Sequence, residues 1–272
     1  MPASTDELKV CVPFISIDGV DIHVEGVGAE TIVMIHGWPD SYRLWDHQVA
    51  ALKGSFRCVR FTFPGFDRAH ERRTRDIEEF SAFVAKVIAQ VSPGKPVILL
   101  LHDWGCVYGY QFYIRNPQLV SKIIGADIGD PASVRRELTI STALMVLAYQ
   151  IPLAFAWMIG GKIGDAIVRS VAKGIRCPTD PATMHSGMAF PYFLMWFAGS
   201  RGLRPQFREF KPAVPMFYLY AKRKPFQFHT QSWLDWLLSR PGNKVQGFDT
   251  GHWIMSADPQ GFTAAVRGWL GG

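Results

Sequence analysis

Apolar residues along this chain fall into two rhythms, short unbroken runs and longer stretches with helical spacing, and the two alternate over most of its length. Phe14 to Ile17 and Val20 to Val24 flank Asp18-Gly19, a dipeptide suited to a tight reversal, and predict an opening pair of antiparallel strands. Thr31 to Ile35 (TIVMI) has the length and β-branched content of a strand buried on both faces; the loop HGWPD follows, then a helical stretch beginning near Ser41. Arg57 to Thr62 predicts the next strand, FPGF a loop, and Ile77 to Val91 a helix. Pro96 to Leu101 (PVILLL) is the most apolar strand and runs directly into HDWGCVYGYQF, whose small and apolar residues suit a helix packed on a sheet. Ile123 to Ala126 is a further strand.

From Pro131 to about Pro212 the strand rhythm stops, and aliphatic and aromatic residues recur at helical spacing. It resumes with a strand at Pro215 to Tyr220, a helix near Ser232 to Leu238, a strand at Lys244 to Phe248, the loop DTGHW and a last helix from Pro259 to Leu270. Strands alternating with helices predict an α/β fold with a mostly parallel central sheet flanked by helices. The interruption predicts an inserted helical cap over 131–212, dividing the core into 1–130 and 213–272. No internal repeat or low-complexity linker is visible.

The 272 residues suit one large α/β unit, and 48% hydrophobic against 19% charged residues exclude wholesale disorder. The formal charge of +6 invites a nucleic-acid partner, but the basic residues argue against one. Arg57, Arg60, Arg68, Arg72, Arg73 and Arg75 are interspersed with Asp67, Glu71 and Asp76, while Lys222, Arg223 and Lys224 form a separate short run; solvated loops account for both. Cys11, Cys58, Cys106 and Cys177 lack metal-ligand spacing and form no disulfide framework, so no metal site is expected. The N-terminal MPASTDELKV has no apolar core of signal-peptide length, and a cytoplasmic location is expected. Leu138 to Gly161 has no charged residue and is long enough to cross a bilayer; its Thr139, Ser141, Thr142, Gln150 and central Pro152 suit two apolar-faced helices broken at the proline, without stable membrane insertion.

The strand-to-helix junction His102-Asp103-Trp104-Gly105 carries the sharpest chemical signal, because a tight turn after a buried strand lifts one side chain above the carboxyl edge of the sheet. Asp103 takes that place. A carboxylate, with a reference pKa of about 3.9, is ionised at neutral pH and needs no base before attacking an sp³ carbon. Hydrolysing the resulting ester needs an activated water, and His252 in GHW, after the last strand, is the candidate base. Backbone N–H groups of Trp38 and Trp104 would hold the oxyanion, with Pro39 stiffening the loop and His36-Gly37 letting it bend toward the site. His23, His47, His70, His185 and His229 lie outside such loops and read as surface or core residues; His102 packs beside the turn. The competing reading of Asp103 alone is a helix cap.

HGWPD, FPGF, LLHDWG and TGHW, in this order and spacing, resemble the aspartate-nucleophile branch of the α/β-hydrolases, the epoxide hydrolases and haloalkane dehalogenases, over nearly the whole chain. The resemblance implies an α/β-hydrolase fold, no cofactor and a histidine-orienting acid after either the strand following the cap or the strand preceding it. At the first place the family pattern YGxxD reads Tyr220-Ala221-Lys222-Arg223-Lys224, without a carboxylate. At the second stands Asp127, with Asp130 in reserve. The resemblance also implies two cap tyrosines for an epoxide oxygen, or tryptophan and asparagine N–H groups for a halide. Tyr149 and Tyr192 are the tyrosines, though packing in an apolar cap accounts for either one.

Leu101, in place of a small residue, departs from the epoxide hydrolases, whereas Trp38 stands where many dehalogenases carry asparagine. The expected function is epoxide hydrolysis to a diol through an alkyl-enzyme ester, with dehalogenation by the same ester as the alternative. A non-catalytic protein binding a hydrophobic ligand is the alternative of another class. His36, Trp157, Phe190 and Trp196 are expected to line a pocket for a small hydrophobic substrate, among further cap residues such as Phe155 and Met158. Homodimer formation is left open.

Overall fold

Contiguous apolar runs become strands here because both faces of the sheet are covered. The computed structural model describes residues 14–68, 72–131, 133–134 and 139–271; the N-terminal segment with Cys11, and His70 and Glu71, lie outside the described residues. Its eight strands are β1 (Phe14–Ile17), β2 (Val20–Glu25), β3 (Thr31–Ile35), β4 (Arg57–Phe61), β5 (Val97–His102), β6 (Val120–Ala126), β7 (Met216–Ala221) and β8 (Lys244–Phe248). They form one sheet in the order β1-β2-β4-β3-β5-β6-β7-β8. The β1–β2 and β2–β4 pairings are antiparallel and all others parallel. This is the α/β-hydrolase fold, with Asp18 and Gly19 both at positive φ in the opening reversal.

Alternation along each buried strand divides the core in two. Ile32, Met34, Ile98, Leu100, Phe217 and Leu219 face the layer that contains α1 (Asp46–Leu52) and α9 (Pro259–Leu270). Val33, Ile35, Leu99, Leu101, Ile123 and Tyr218 face the opposite layer with α2 (Ile77–Val91), α3 (Trp104–Arg115) and α7 (Gln231–Leu238). At roughly 1.5–3 kcal/mol for each fully buried large aliphatic side chain, this double burial is the main force holding the parallel strands. Helix starts are set by side-chain caps: Asp76 accepts from Glu79 N–H at 2.8 Å while the Glu79 carboxylate reaches back to Asp76 N–H at 3.2 Å, and α2 begins there.

Between β6 and β7 lie the helices α4 (Ile140–Ile159), α5 (Gly161–Gly174) and α6 (Phe190–Trp196); α4 packs along both of the others, and Tyr192 of α6 lies against Trp38 and Trp104. The expected break at Pro152 is not there. α4 runs through it, and the change of direction falls at Gly160, whose φ is +67°. Pro152 removes one N–H and leaves the Ala148 carbonyl without its helical donor; Ala148 is exposed, so water can serve that carbonyl. The insertion is tied to the core at named points. Asp165 pairs with Arg68 at 3.0 Å, His185 Nε2 donates to Phe66 O at 2.9 Å, and the Thr179 hydroxyl donates to Asp40.

The two basic groups expected on solvated loops divide. Arg60 is buried on β4, pairing with Glu25 at 2.9 Å and with Asp46, and Lys224 is almost wholly buried. Cys58, Cys106 and Cys177 are free thiols. The short helix α8 (Ile254–Ala257) follows the β8 loop.

Candidate active site

Asp103 stands between β5 and α3 with φ +51° and ψ −123°, a strained conformation that raises its side chain over the sheet edge. Its side chain makes no capping hydrogen bond to the following helix, which removes the reading of Asp103 as a cap. Instead its Oδ1 accepts from the Trp38 N–H at 2.7 Å, and the Trp104 N–H also bonds to its carboxylate. The other oxygen, Oδ2, lies 3.4 Å from His252 Nε2. Gly37 permits this approach, since a Cβ there would sit 2.3 Å from Asp103 Oδ1. Leu101, the departure from the family, is accommodated from beneath: Gly109 on α3 leaves the space that its δ-methyl groups occupy.

His252 Nδ1 lies 2.5 Å from Asp127 Oδ2, so the ring bridges two carboxylates. Asp127 sits directly after β6 with φ +69°, and its Oδ1 accepts from Ala221 N–H at 2.8 Å, which fixes it against the end of β7. Asp130, the reserve acid, is turned to the next element and accepts from Ser133 N–H at 2.8 Å. Of the two acids, the structure brings Asp127 to the histidine.

Electrostatics follow from this packing. Burial opposes ionisation of Asp103, but the His252 hydrogen bond and charge outweigh it and hold the carboxyl below its ordinary value. Burial also opposes a charged His252; bonds to Asp103 and Asp127 and their charges overcome it and lift the imidazole from 6.5 to about 9. His102 is fully buried, and desolvation drives it down to about 3, so its neutral ring donates through Nε2 to His252 O at 3.2 Å.

Two participants escaped the sequence reading. Lys224 Nζ lies 2.7 Å from Asp127 Oδ2, so a cation occupies the place where the family pattern would carry an acid. Against burial, which raises it, the Lys224 charge and the His252 bond keep the Asp127 carboxyl below its ordinary range. The vacant acid position was legible in Tyr220–Lys224; that its lysine meets Asp127 was not, because the partners are 97 positions apart. Asp40 is the other. Buried between the core and the insertion, it accepts from Trp253 Nε1 at 3.0 Å and from Thr179, and burial raises its carboxyl to about 6.

Tyr192 packs edge-on against both Trp38 and Trp104, with ring centroids at 5.7 and 5.2 Å, and Tyr149 lies 6.3 Å from Tyr192. The Trp104 side chain hydrogen-bonds to the Tyr192 phenol. An indole can only donate, so the Tyr192 O–H stays available as a donor. Tyr149 likewise accepts from Gln150 Nε2 at 2.9 Å, and Gln150 in turn accepts from Trp196 Nε1 at 2.8 Å. Burial raises both phenols above their ordinary value, and both feel the Asp103 charge.

The expected pocket wall needs correction at His36 and Phe190. His36 is wholly buried; its Nε2 accepts from Phe63 N–H at 2.8 Å and its Nδ1 donates to Gly37 O at 2.9 Å. It ties two loops together and has no surface for a substrate. Phe190 is also fully buried, packed on Phe63 and Phe66 as part of the core. Trp157 lies under the Arg72 guanidinium, 4.1 Å from its ring centre, and Trp196 supports Gln150. Sequence composition marks all four as large and apolar or aromatic, and that signal does not separate packing from ligand contact.

The sequence profile of the alpha/beta hydrolase family matches residues 32–266. The chain belongs to that family. The Caenorhabditis elegans protein named epoxide hydrolase 1 is 26% identical over 131 residues, 46% of this chain and 32% of that protein. The Mycobacterium tuberculosis protein EphD, named a probable oxidoreductase, is 40% identical over 108 residues, 38% of this chain and 18% of that protein. The chain thus spans about a third or less of the length of these curated relatives. Among solved structures, an epoxide hydrolase of Bacillus megaterium in complex with an inhibitor superposes with a TM-score of 0.72 at 18% identity, covering 96% of this chain and 100% of that one. An esterase of Exiguobacterium antarcticum superposes with a TM-score of 0.68, also at 18% identity, covering 95% and 99%. At these identities the superpositions report the shared fold.

Proposed function

We propose that this protein hydrolyses epoxides through an ester formed on Asp103. The observation that carries the reading is the division of labour between the two Asp103 oxygens: Oδ1 is held by the Trp38 N–H, and Oδ2 faces His252. Oδ2 attacks an epoxide carbon and the C–O bond breaks toward oxygen. The alkoxide is met by the O–H groups of Tyr149 and Tyr192, and the proton it finally gains comes from the His252 imidazolium. His252 is then neutral, and one of the two carboxylates that sustained its charge has become an ester. It can now take a proton from water. The hydroxide adds to Cγ, and the charge developing on Oδ1 falls where the N–H groups of Trp38 and Trp104 already point. Collapse releases the diol and restores both the Asp103 carboxylate and the imidazolium, so protons balance over the cycle. The epoxide hydrolases among the relatives and neighbours support the substrate class.

Replacing His252 with Gln tests this directly. Incubated with a small aryl epoxide, the variant is expected to form the ester and stall, gaining the mass of one substrate on the peptide that contains Asp103. Wild-type protein turns the same epoxide into diol, and Asp103→Asn does neither. A folded His252→Gln protein that never acquires the adduct, together with no diol from wild type across aryl and alkyl epoxides, overturns the proposal.

One observation favours a second substrate class. The Trp38 indole N–H is buried without an acceptor among the described residues, as a halide-binding donor would be. Halide release from haloalkanes, measured beside diol formation, decides between the two.

A further inference from the structure

The helix α4 presents an apolar stripe to solvent. Ile140 is 82% exposed, Leu144 61%, Met158 52% and Ile159 54%. At 100° per residue these positions fall on one side of the helix together with Phe155, while Tyr149, Leu153 and Ala156 occupy the inner side. Phe155 packs at a tilt against Phe197, 5.3 Å between ring centres, and Ile163 at the start of α5 is 67% exposed, so the patch continues beyond one helix. Although α4 is long and apolar enough to cross a membrane, it packs along α5 and α6 and buries Leu153, Ala154 and Ala156.

Charge identifies what covers it. Residues 131–212 hold ten Lys and Arg against four Asp and Glu, whereas the rest of the chain holds nineteen of each. The whole net charge of +6 therefore belongs to the insertion that bears the apolar stripe. Its described carboxylates are engaged: Asp165 with Arg68 and Arg169, Glu209 with Lys211, and Asp180 at the Ala182 N–H. On α5, Lys162, Arg169 and Lys173 share one line along the helix, beside the apolar edge marked by Ile163. A second copy would bring an equally positive insertion against this one, which like-charge repulsion opposes. An apolar face flanked by lysine and arginine suits an anionic bilayer, apolar residues entering the acyl boundary and cations meeting the headgroups.

We propose that the cap docks peripherally on anionic lipid surfaces through the outer face of α4 and the basic line of α5. The proposal does not depend on the reaction at Asp103. Co-sedimentation of the full chain with vesicles tests it, comparing phosphatidylcholine alone with phosphatidylcholine containing phosphatidylglycerol. Binding is expected only to the anionic vesicles and is expected to be reversed by high salt. Leu144→Ser with Met158→Ser, and separately Lys162→Glu with Lys173→Glu, are expected to weaken partitioning on the order of tenfold or more, since each basic residue near such a surface contributes about fivefold. Circular dichroism is expected to stay unchanged in all these variants, and any turnover of a water-soluble substrate is expected to stay unchanged in the Lys162→Glu with Lys173→Glu pair. Failure to bind either vesicle, or binding that both variant pairs leave intact, overturns the proposal. So does a salt-resistant association that behaves as an inserted helix, or a stable dimer that Leu144→Ser with Met158→Ser dissociates.

Discussion

Asp127 Oδ2 is shared by two cations, the His252 ring at 2.5 Å and the Lys224 ammonium at 2.7 Å. The arrangement limits how strongly Asp127 favours the imidazolium, because part of its charge is already neutralised. Lys224→Met is therefore expected to raise the pKa of His252. A base must be neutral to act, so the acidic limb of the pH profile for ester hydrolysis should move to higher pH. Activity at neutral pH should fall several-fold, while Lys224→Arg keeps most of it. Single-turnover rates measured from pH 5 to 10 check this, and an unmoved limb in a folded Lys224→Met protein would show that the lysine only fills space. The same linkage acts on stability. Folding lifts His252 from 6.5 to about 9, so its contribution is complete below about 6.5 and is lost as pH rises through about 9. Thermal melts of wild type and His252→Gln, compared across that window, should converge toward the alkaline end.

At the scale of elements, the insertion meets the core through a series of polar ties, and Asp40, 2% exposed, is among the most deeply buried. Asp40→Ala strands the Trp253 N–H and the Thr179 hydroxyl in a water-poor junction, at a cost of about 1–3 kcal/mol for each group left unsatisfied. The expected result is a lower midpoint in urea and faster proteolysis within 139–212; an unchanged midpoint would mean that water replaces the carboxylate. Several elements were legible from pattern alone. β3, β8, α2 and α9 match their sequence ranges residue for residue, since each is bounded by a cap, a proline or a change of period. The Pro152 break was misread because proline's penalty depends on whether the stranded carbonyl can reach water. The sequence cannot report that exposure.

Over the whole molecule, the parallel strands depend on burial from both sides, so damage to one layer weakens the sheet that serves both. Ile98→Ala, near the start of β5 and facing the α1 and α9 layer, is expected to cost about 2–5 kcal/mol by calorimetry or denaturant titration. The variant protein that remains folded should keep its turnover. A loss below roughly 1 kcal/mol would show that the layer repacks around the missing carbons. The geometry of Asp103 and His252 was foreseeable because both lie in loops at strand ends, where the parallel order brings distant segments together. Lys224 and Asp40 were not, since their partners are set by how loops fold back rather than by any local period.

The strand order also places Asp127 immediately before the stalk of the insertion, with Asp130 turned into the first residues beyond it. The acid and the insertion's first junction therefore share one short stretch of backbone. An insertion exchanged between relatives has to be spliced after Asp130, because a cut nearer β6 would import foreign backbone into the contact between Asp127 and the imidazole. Splicing at the other junction, ahead of β7, carries no such penalty, and chimeras built on these two boundaries would inherit their catalytic register from one parent alone.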